Sequence, residues 1–173
     1  MVVIAEMAMG RLIWGPDGKF AWWEGDIWSS ECSQRVADPY SFSHMEHGMI
    51  MFGFLWLVAR RVPIQWRFFA ALLVECAWEI AENSPFIINR YRAATISIGY
   101  EGDSVLNSFF DAVFMSLGFL LAARIPFRAT VAFCMGMEIS CLILLRDNLI
   151  LNVLMLVHPF DSIKAWQSAL HTG

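Results

Sequence analysis

The chain has 173 residues, of which 58% are hydrophobic and 16% are charged, and its formal net charge is −4. A soluble domain carries about 25% charged residues and about 45–50% apolar residues. The composition therefore predicts a polytopic membrane protein, and the negative charge argues against nucleic-acid binding.

The chain opens with an apolar stretch, residues 2–9, that is too short to span a membrane and is interrupted by Glu6. We expect either the stub of a longer first helix that starts upstream or a segment at the membrane interface. A cleaved signal peptide is not expected, because no basic region precedes the stretch. Four tryptophans follow, as is typical of an interfacial aromatic belt, at Trp14, Trp22, Trp23 and Trp28.

Four further apolar stretches approach the length of about 20 residues that a helix needs to cross a bilayer. They cover residues 43–59, 68–83, 105–123 and 129–145. A run over 149–157 is too short to span and stops before Pro159. We expect it to be a re-entrant or interfacial helix, or else a continuation of the fourth stretch. The pattern predicts an all-α, polytopic membrane helix bundle with four core transmembrane helices.

No linker, repeat or low-complexity tract divides the chain, so residues 1–173 are expected to form a single integral-membrane domain. Residues 1–42 would form the stub and an outer-face segment, 43–160 the bundle and 161–173 a tail. The short connections at 60–67 and 124–128 contain arginine and no acidic residue, which favours a cytoplasmic location. The predicted topology places the polar end of the bundle outside the cytoplasm.

Polar residues collect at that outer end. Glu75, Glu79 and Glu82 lie at i, i+4 and i+7 and therefore share one helix face. An ionisable side chain at membrane depth is costly unless it faces a bundle interior or a water-filled cavity, so three in register predict a functional site. The other candidates lie near the outer ends of the predicted helices: His44, His47, Asn83, Asp103, Asn107, Asp111, Arg146, Asp147 and Asn148. We expect one deep cavity between the helices.

The candidates have alternative roles. His44 and His47 would bind a divalent metal ion, the expected cofactor, or they would be two interfacial histidines. The predicted catalytic groups are the carboxyls of Glu79, Glu82, Asp103 and Asp111. Alternatively, Glu79 and Glu82 form structural salt bridges to nearby arginines. The residues expected to bind an anionic substrate are Arg90, Arg92, Asn107, Arg146 and Asn148.

Several motifs in the chain are highly specific. They include His44-x-x-His47-Gly48, Trp78-Glu79-x-x-Glu82-Asn83-Ser84-Pro85, Gly102-Asp103-Ser104-x-x-Asn107-Ser108-x-x-Asp111 and Arg146-Asp147-Asn148-Leu149-x-Leu151-Asn152. With these motifs, nearly the whole chain resembles an uncharacterised family of bacterial inner-membrane proteins defined as a domain of unknown function. The resemblance implies a multi-pass membrane protein without an assigned activity. More distantly, the arrangement of His, Glu and Asp residues resembles the VanZ-like layout.

Two classes of function are consistent with these residues. The first is an enzyme that catalyses metal-assisted hydrolysis or transfer on a lipid or lipid-linked substrate at the outer face. The second is a non-catalytic subunit of a larger membrane complex, or a small-ligand binder, in which the polar network fixes the helix arrangement. A pocket that opens laterally to lipid favours the first class, and a pocket filled by salt bridges favours the second. Membrane lipids are the expected partners in both classes.

Overall fold

The computed structural model describes residues 1–170, and these form eight α-helices and no β-sheet. In chain order the helices are α1 (Val2–Ala8), α2 (Ser41–Ala59), α3 (Ile64–Glu82), α4 (Pro85–Ala94), α5 (Val105–Ala122), α6 (Phe127–Leu145), α7 (Leu149–Val157) and α8 (Asp161–Ser168). The predicted all-α fold is confirmed. The end of the predicted tail, residues 171–173, lies outside the described part of the chain.

The long helices α2, α3, α5 and α6 match the four predicted apolar stretches to within a few residues. Prolines mark the start of two of them, because a proline has no N–H to leave unpaired in the first turn. Pro63 directly precedes α3, and Pro126 directly precedes α6. Ser104 caps α5, since its hydroxyl accepts a hydrogen bond from the N–H of Asn107 at 3.2 Å. Local sequence therefore sets these three boundaries.

Helices α4 and α8 are not among the predicted elements. Helix α4 nevertheless begins with a recognisable signal, because Ser84 caps it and Pro85 occupies its first position. Helix α6 ends at Leu145, and the positive φ of 54° at the next residue, Arg146, takes the backbone out of the right-handed helix. The alternative in which residues 149–157 continue the fourth long helix is therefore wrong.

Hydrogen bonds hold the start of α7 next to α6. The carboxylate of Glu138, within α6, accepts hydrogen bonds from the N–H groups of Leu149 at 2.8 Å and Ile150 at 3.3 Å. The side-chain oxygen of Asn148 accepts a third, from Leu151 at 2.8 Å. These acceptors satisfy N–H groups that a helix start leaves unpaired. A carboxylate at this end also complements the positive end of the helix dipole. Glu138 thus anchors α7 beside α6.

Helices α2 and α5 run parallel and cross at very close range. A Cβ at Gly48 would collide with backbone atoms of Met115 and Phe119, and a Cβ at Gly118 would collide with the backbone of Met45. Met115 and Phe119 have no exposed surface and form the centre of the apolar core. Small residues at a crossing are typical of membrane helix pairs that approach closely. The crossing fixes α2 and α5 relative to each other.

Two of the described helices, α5 and α6, are long and apolar enough to cross a membrane. Helices α2 and α3 contain 19 residues each, but they also contain the histidines and glutamates of the candidate site and do not meet the same test. Two of the four predicted transmembrane helices are therefore candidate membrane spans in the structure.

The tight crossing gives a first testable prediction. Gly48→Ala should lower the free energy of unfolding by about 1–3 kcal/mol, because the added methyl group meets backbone that has no room to move. Gly53→Ala, in the same helix, is the control, since its Cβ would meet no atom within 4 Å. The control should keep or raise stability by up to about 1 kcal/mol through better helix propensity. Thermal unfolding in detergent measures both, and equal midpoints would contradict the proposed role of the crossing.

Candidate functional site

Two histidines of α2 and a glutamate of α3 form the centre of the candidate site. The rings of His44 and His47 meet edge to face, with centroids 5.1 Å apart. The carboxylate of Glu75 contacts both: Oε1 lies 2.7 Å from Nδ1 of His44, and Oε2 lies 3.3 Å from Nδ1 of His47. Glu75 has no exposed surface. The three side chains offer donor atoms close enough to share one metal ion.

A second carboxylate, Glu79, lies one turn further along α3. Its Oε1 is 3.4 Å from Nδ1 of His44, yet neither carboxylate oxygen has a hydrogen-bond partner among the described residues. Asp111 of α5 approaches the opposite ring nitrogen of His44 at 3.9 Å, and its Oδ1 is also unpaired within the described chain. Burying an unpaired carboxylate is costly. The arrangement therefore favours occupation by a cation or by protons.

The histidines border a cavity of about 80 Å³, which has room for a few water molecules or an ion. Most of the lining is polar, and His44, Glu82 and Asp111 of α2, α3 and α5 belong to it. The apolar part of the lining consists of Trp78, Leu149, Val153 and Leu156. The cavity is thus amphipathic, with α7 supplying most of its apolar side.

The amide of Asn83, at the end of α3, joins three parts of the chain. Its nitrogen lies 3.2 Å from the carboxylate of Glu6, 3.3 Å from that of Asp103 and 3.3 Å from the hydroxyl of Ser108. Asp103 also accepts a hydrogen bond from the hydroxyl of Tyr100 at 2.9 Å. Burial raises the pKa of Asp103 to about 6, and the hydrogen bond from Tyr100 opposes that rise. This network connects α1 to the wall of the cavity.

The residues predicted to bind metal or to act in catalysis converge in the structure. Five of them border the cavity: His44, His47, Glu82, Asp103 and Asp111. Glu79 is the sixth and contacts His44. Asn107, predicted to bind substrate, also borders the cavity, and its amide donates to the carbonyl of Arg35 at 3.0 Å.

The three arginines predicted to bind an anionic substrate contact backbone carbonyls instead. Arg90 donates to the last two carbonyls of α7, at 2.7 and 3.1 Å. Arg146 donates to the carbonyl of Trp166 at 2.8 Å, and Arg92 donates to that of Tyr100. Asn148 caps α7. In the described part of the chain, the cavity is lined by no lysine or arginine.

The salt bridges considered as an alternative role for Glu79 and Glu82 are not present among the described residues, since neither carboxylate pairs with an arginine. The sequence spacing places Glu75 on the same predicted functional face as Glu79 and Glu82, but the predicted metal-binding and catalytic residues do not include it. The structure adds it to them, because its carboxylate contacts both histidines.

Tyr40, at the start of α2, borders the cavity. Asp147 does not border the cavity but contacts Tyr40. The tyrosine hydroxyl donates to Oδ2 of Asp147 at 3.1 Å. Oδ1 accepts from the N–H of Asn148 at 3.0 Å and from the amide of Gln167 at 3.1 Å. Burial raises the pKa of Asp147 to about 6, and the hydrogen bond from Tyr40 opposes the rise. Asp147 therefore connects α8 to the cavity.

The fold and the site define an all-helical protein with a buried His and Glu cluster beside an amphipathic cavity. A family model described as "Protein of unknown function (DUF2585)" matches residues 6–169, and the chain belongs to this family. The resemblance predicted from the motifs is thereby confirmed.

Relatives in other bacteria carry the name UPF0314 protein. The one from Paracoccus denitrificans is 53% identical over 153 residues, which cover 88% of this chain and 79% of the relative. Those from Sinorhizobium fredii and Rhizobium meliloti are each 48% identical over 168 residues, covering 97% of this chain and 85% of each relative. No solved structure matches significantly.

Asp147 gives a prediction about pH. Its folded pKa of about 6 lies above the ordinary 3.8, so the folded state holds its proton more tightly than the unfolded state. The stabilising contribution is therefore complete below about pH 4 and is lost as pH rises through about 6. Asp147→Asn should remove this part of the pH dependence. Unfolding midpoints of both proteins from pH 4 to 7 test it, and parallel curves would contradict it.

Proposed function

We propose that the protein is a multi-pass inner-membrane protein in which α2, α3, α5 and α6 all cross the bilayer. Support comes from the length of the helices and from their uncovered apolar surface. On α6, Phe127, Ile143 and Leu144 are more than 70% exposed. The polar residues that lower the hydropathy of α2 and α3 face the interior of the bundle, where such residues are tolerated in membrane helices.

We further propose that the cavity opens on the non-cytoplasmic side. The connections from α2 to α3 and from α5 to α6 are short and contain arginines without acidic residues. The positive-inside rule assigns such loops to the cytoplasm. Both connections lie at the ends of the helices opposite to the cavity, so the two loops agree with one orientation.

Cysteine labelling tests this orientation. In a variant without the native cysteines 32, 76, 134 and 141, Val62→Cys should be protected from a membrane-impermeant maleimide in spheroplasts. Glu101→Cys, near the cavity and 85% exposed as a side chain, is the matched control and should be labelled. Permeabilisation should make both positions reactive. Labelling of residue 62 in intact spheroplasts would overturn the proposed orientation.

We propose that a divalent metal ion binds at the edge of the cavity through His44, His47 and Glu75, with Glu79 beside them. The single observation that carries this proposal is the contact of Glu75 with both histidines next to an unpaired, fully buried Glu79. Imidazole nitrogen and carboxylate oxygen together suit zinc and other first-row divalent ions. A cation would neutralise carboxylates that no arginine of the described chain approaches.

The chemistry that such a site supports best is hydrolysis or group transfer on a lipid or lipid-linked substrate. A bound metal ion would supply Lewis-acid polarisation of a phosphoryl or acyl oxygen and a nucleophilic water. Glu82 and Asp111 border the same cavity and would exchange protons with water or substrate there. The apolar wall from α7 provides a surface for the hydrocarbon part of the substrate.

A second candidate function is a non-catalytic subunit of a membrane complex or a small-ligand binder. The observation that favours it is the engagement of Arg90, Arg92 and Arg146 with backbone carbonyls. Without a bound metal, no lysine or arginine in the described lining of the cavity would attract an anionic head group. The metal content of the purified protein therefore separates the two functions.

Glu79→Gln provides the decisive measurement. If Glu79 belongs to a metal site, the variant should lose most of its bound metal. Its unfolding midpoint, measured without metal, should stay close to that of the wild type. Stability is retained because no arginine of the described chain pairs with Glu79, and His44 keeps its contact with Glu75. Glu101→Gln is the control at an exposed carboxylate. Elemental analysis and thermal unfolding on the same samples give both readouts. A metal-free wild type would defeat the metal proposal.

A further inference from the structure

The acidic cluster beside the two histidines is larger than a single metal ion requires. The first candidate group, His44, His47 and Glu75, already offers three donor atoms close to one another. A second group consists of His44, Glu79 and Glu82, whose donor atoms also lie within 4.8 Å of one another. Because both groups contain His44, they adjoin each other.

Glu79 is common to the surroundings of both groups. It lies one turn after Glu75 and one turn before Glu82 on the same face of α3. Its Oε1 is 3.4 Å from Nδ1 of His44. Glu79 has no exposed surface, and neither of its oxygens has a hydrogen-bond partner in the described chain. An ionised carboxylate has two oxygens, and each can contact a different cation.

A further unpaired carboxylate comes from α5. Asp111 is 3% exposed, and its Oδ1 has no partner among the described residues. Its Oδ2 lies 3.9 Å from Nε2 of His44, whereas Glu75 and Glu79 approach the other ring nitrogen. Asp111 and Glu82 also interact electrostatically with Glu79. The cluster thus continues from the histidines to the lining of the cavity, to which Glu82 and Asp111 belong.

The negative charge of the cluster would exceed the charge of one divalent ion. Its four carboxyl groups are those of Glu75, Glu79, Glu82 and Asp111. One divalent ion would balance two ionised carboxylates and leave two more in surroundings of low polarity, which is costly. Among the described residues no arginine pairs with these groups, and no lysine or arginine lines the cavity. A second divalent ion would balance the remaining charge.

We propose that the cluster holds two divalent ions bridged by the carboxylate of Glu79. The first ion is the one proposed above at the histidines, and the second binds Glu82 on the side of the cavity. This inference rests on the metal site of the proposed function and adds a second ion to it. Glu82 is then a metal ligand, which leaves Asp111 to exchange protons. Carboxylate oxygens, the main donors to the second ion, suit Mg²⁺ and Mn²⁺.

The second ion narrows the class of substrate. Two divalent ions about 3.5–4 Å apart are typical of phosphatases and nucleases, in which they contact the oxygens of a phosphate ester. The described lining of the cavity has no lysine or arginine for this purpose, so an ion at Glu82 is the positive group that faces a phosphate. The apolar lining from α7 then suits a hydrocarbon chain attached to that phosphate.

Binding of Mn²⁺ tests both the number of ions and their separation. The purified protein is dialysed in detergent against Mn²⁺ alone, and bound metal is measured together with the electron paramagnetic resonance spectrum. The wild type should bind two Mn²⁺ per chain and show the exchange-coupled spectrum of ions about 4 Å apart. Glu82→Gln should keep one ion and show the spectrum of an isolated Mn²⁺. Glu101→Gln, the control at an exposed carboxylate, should bind two coupled ions.

The number of bound ions separates this inference from the metal site on which it rests. A wild type with one uncoupled Mn²⁺ per chain would overturn the second ion and leave the first in place. A wild type that binds no metal would overturn both. Two coupled ions retained by Glu82→Gln would overturn the assignment of Glu82. Thermal unfolding identifies a variant that does not fold, and the stoichiometry and spectrum of the wild type then decide the proposal.

Discussion

The close crossing of α2 and α5 holds the two helices at a separation that only glycine permits at Gly48 and Gly118. One turn before Gly48, the same face of α2 carries His44, which thereby comes within 3.9 Å of Asp111 on α5. A wider crossing would move these two groups apart and open the polar wall to lipid or water. The dimensions of the cavity therefore depend on backbone contact rather than on the side chains that line it.

The acidic cluster places a second constraint on the structure. Glu75 is accommodated by contacts with two imidazoles, but the oxygens of Glu79 have no such partners within the described residues. Like charges this close repel each other in a medium of low polarity, and a protein resolves such repulsion with protons or with a cation. Neutralisation by a metal ion, unlike neutralisation by protons, would also give the cavity a chemical role.

Much of this arrangement follows from spacing in the sequence. The i, i+4 and i+7 pattern puts Glu75, Glu79 and Glu82 on one face, and apolar length predicts the four long helices. The contacts of Arg90 and Arg146 could not be predicted, because a charged side chain near a cavity has the same sequence signature whether it binds a ligand or a backbone carbonyl. The position at which α7 starts depends likewise on hydrogen bonds to Glu138, which local propensity does not encode.

The position of α7 makes the cavity a late product of protein synthesis. Its polar lining starts before α2, but most of its apolar lining lies at residues 149–156, so α7 must leave the ribosome before the cavity closes. A chain that ended with α6 would already contain both histidines and all three glutamates of α3. It would expose them on one side, because Leu149, Val153 and Leu156 would not yet cover them. The cavity is therefore complete only after α7 has been synthesised.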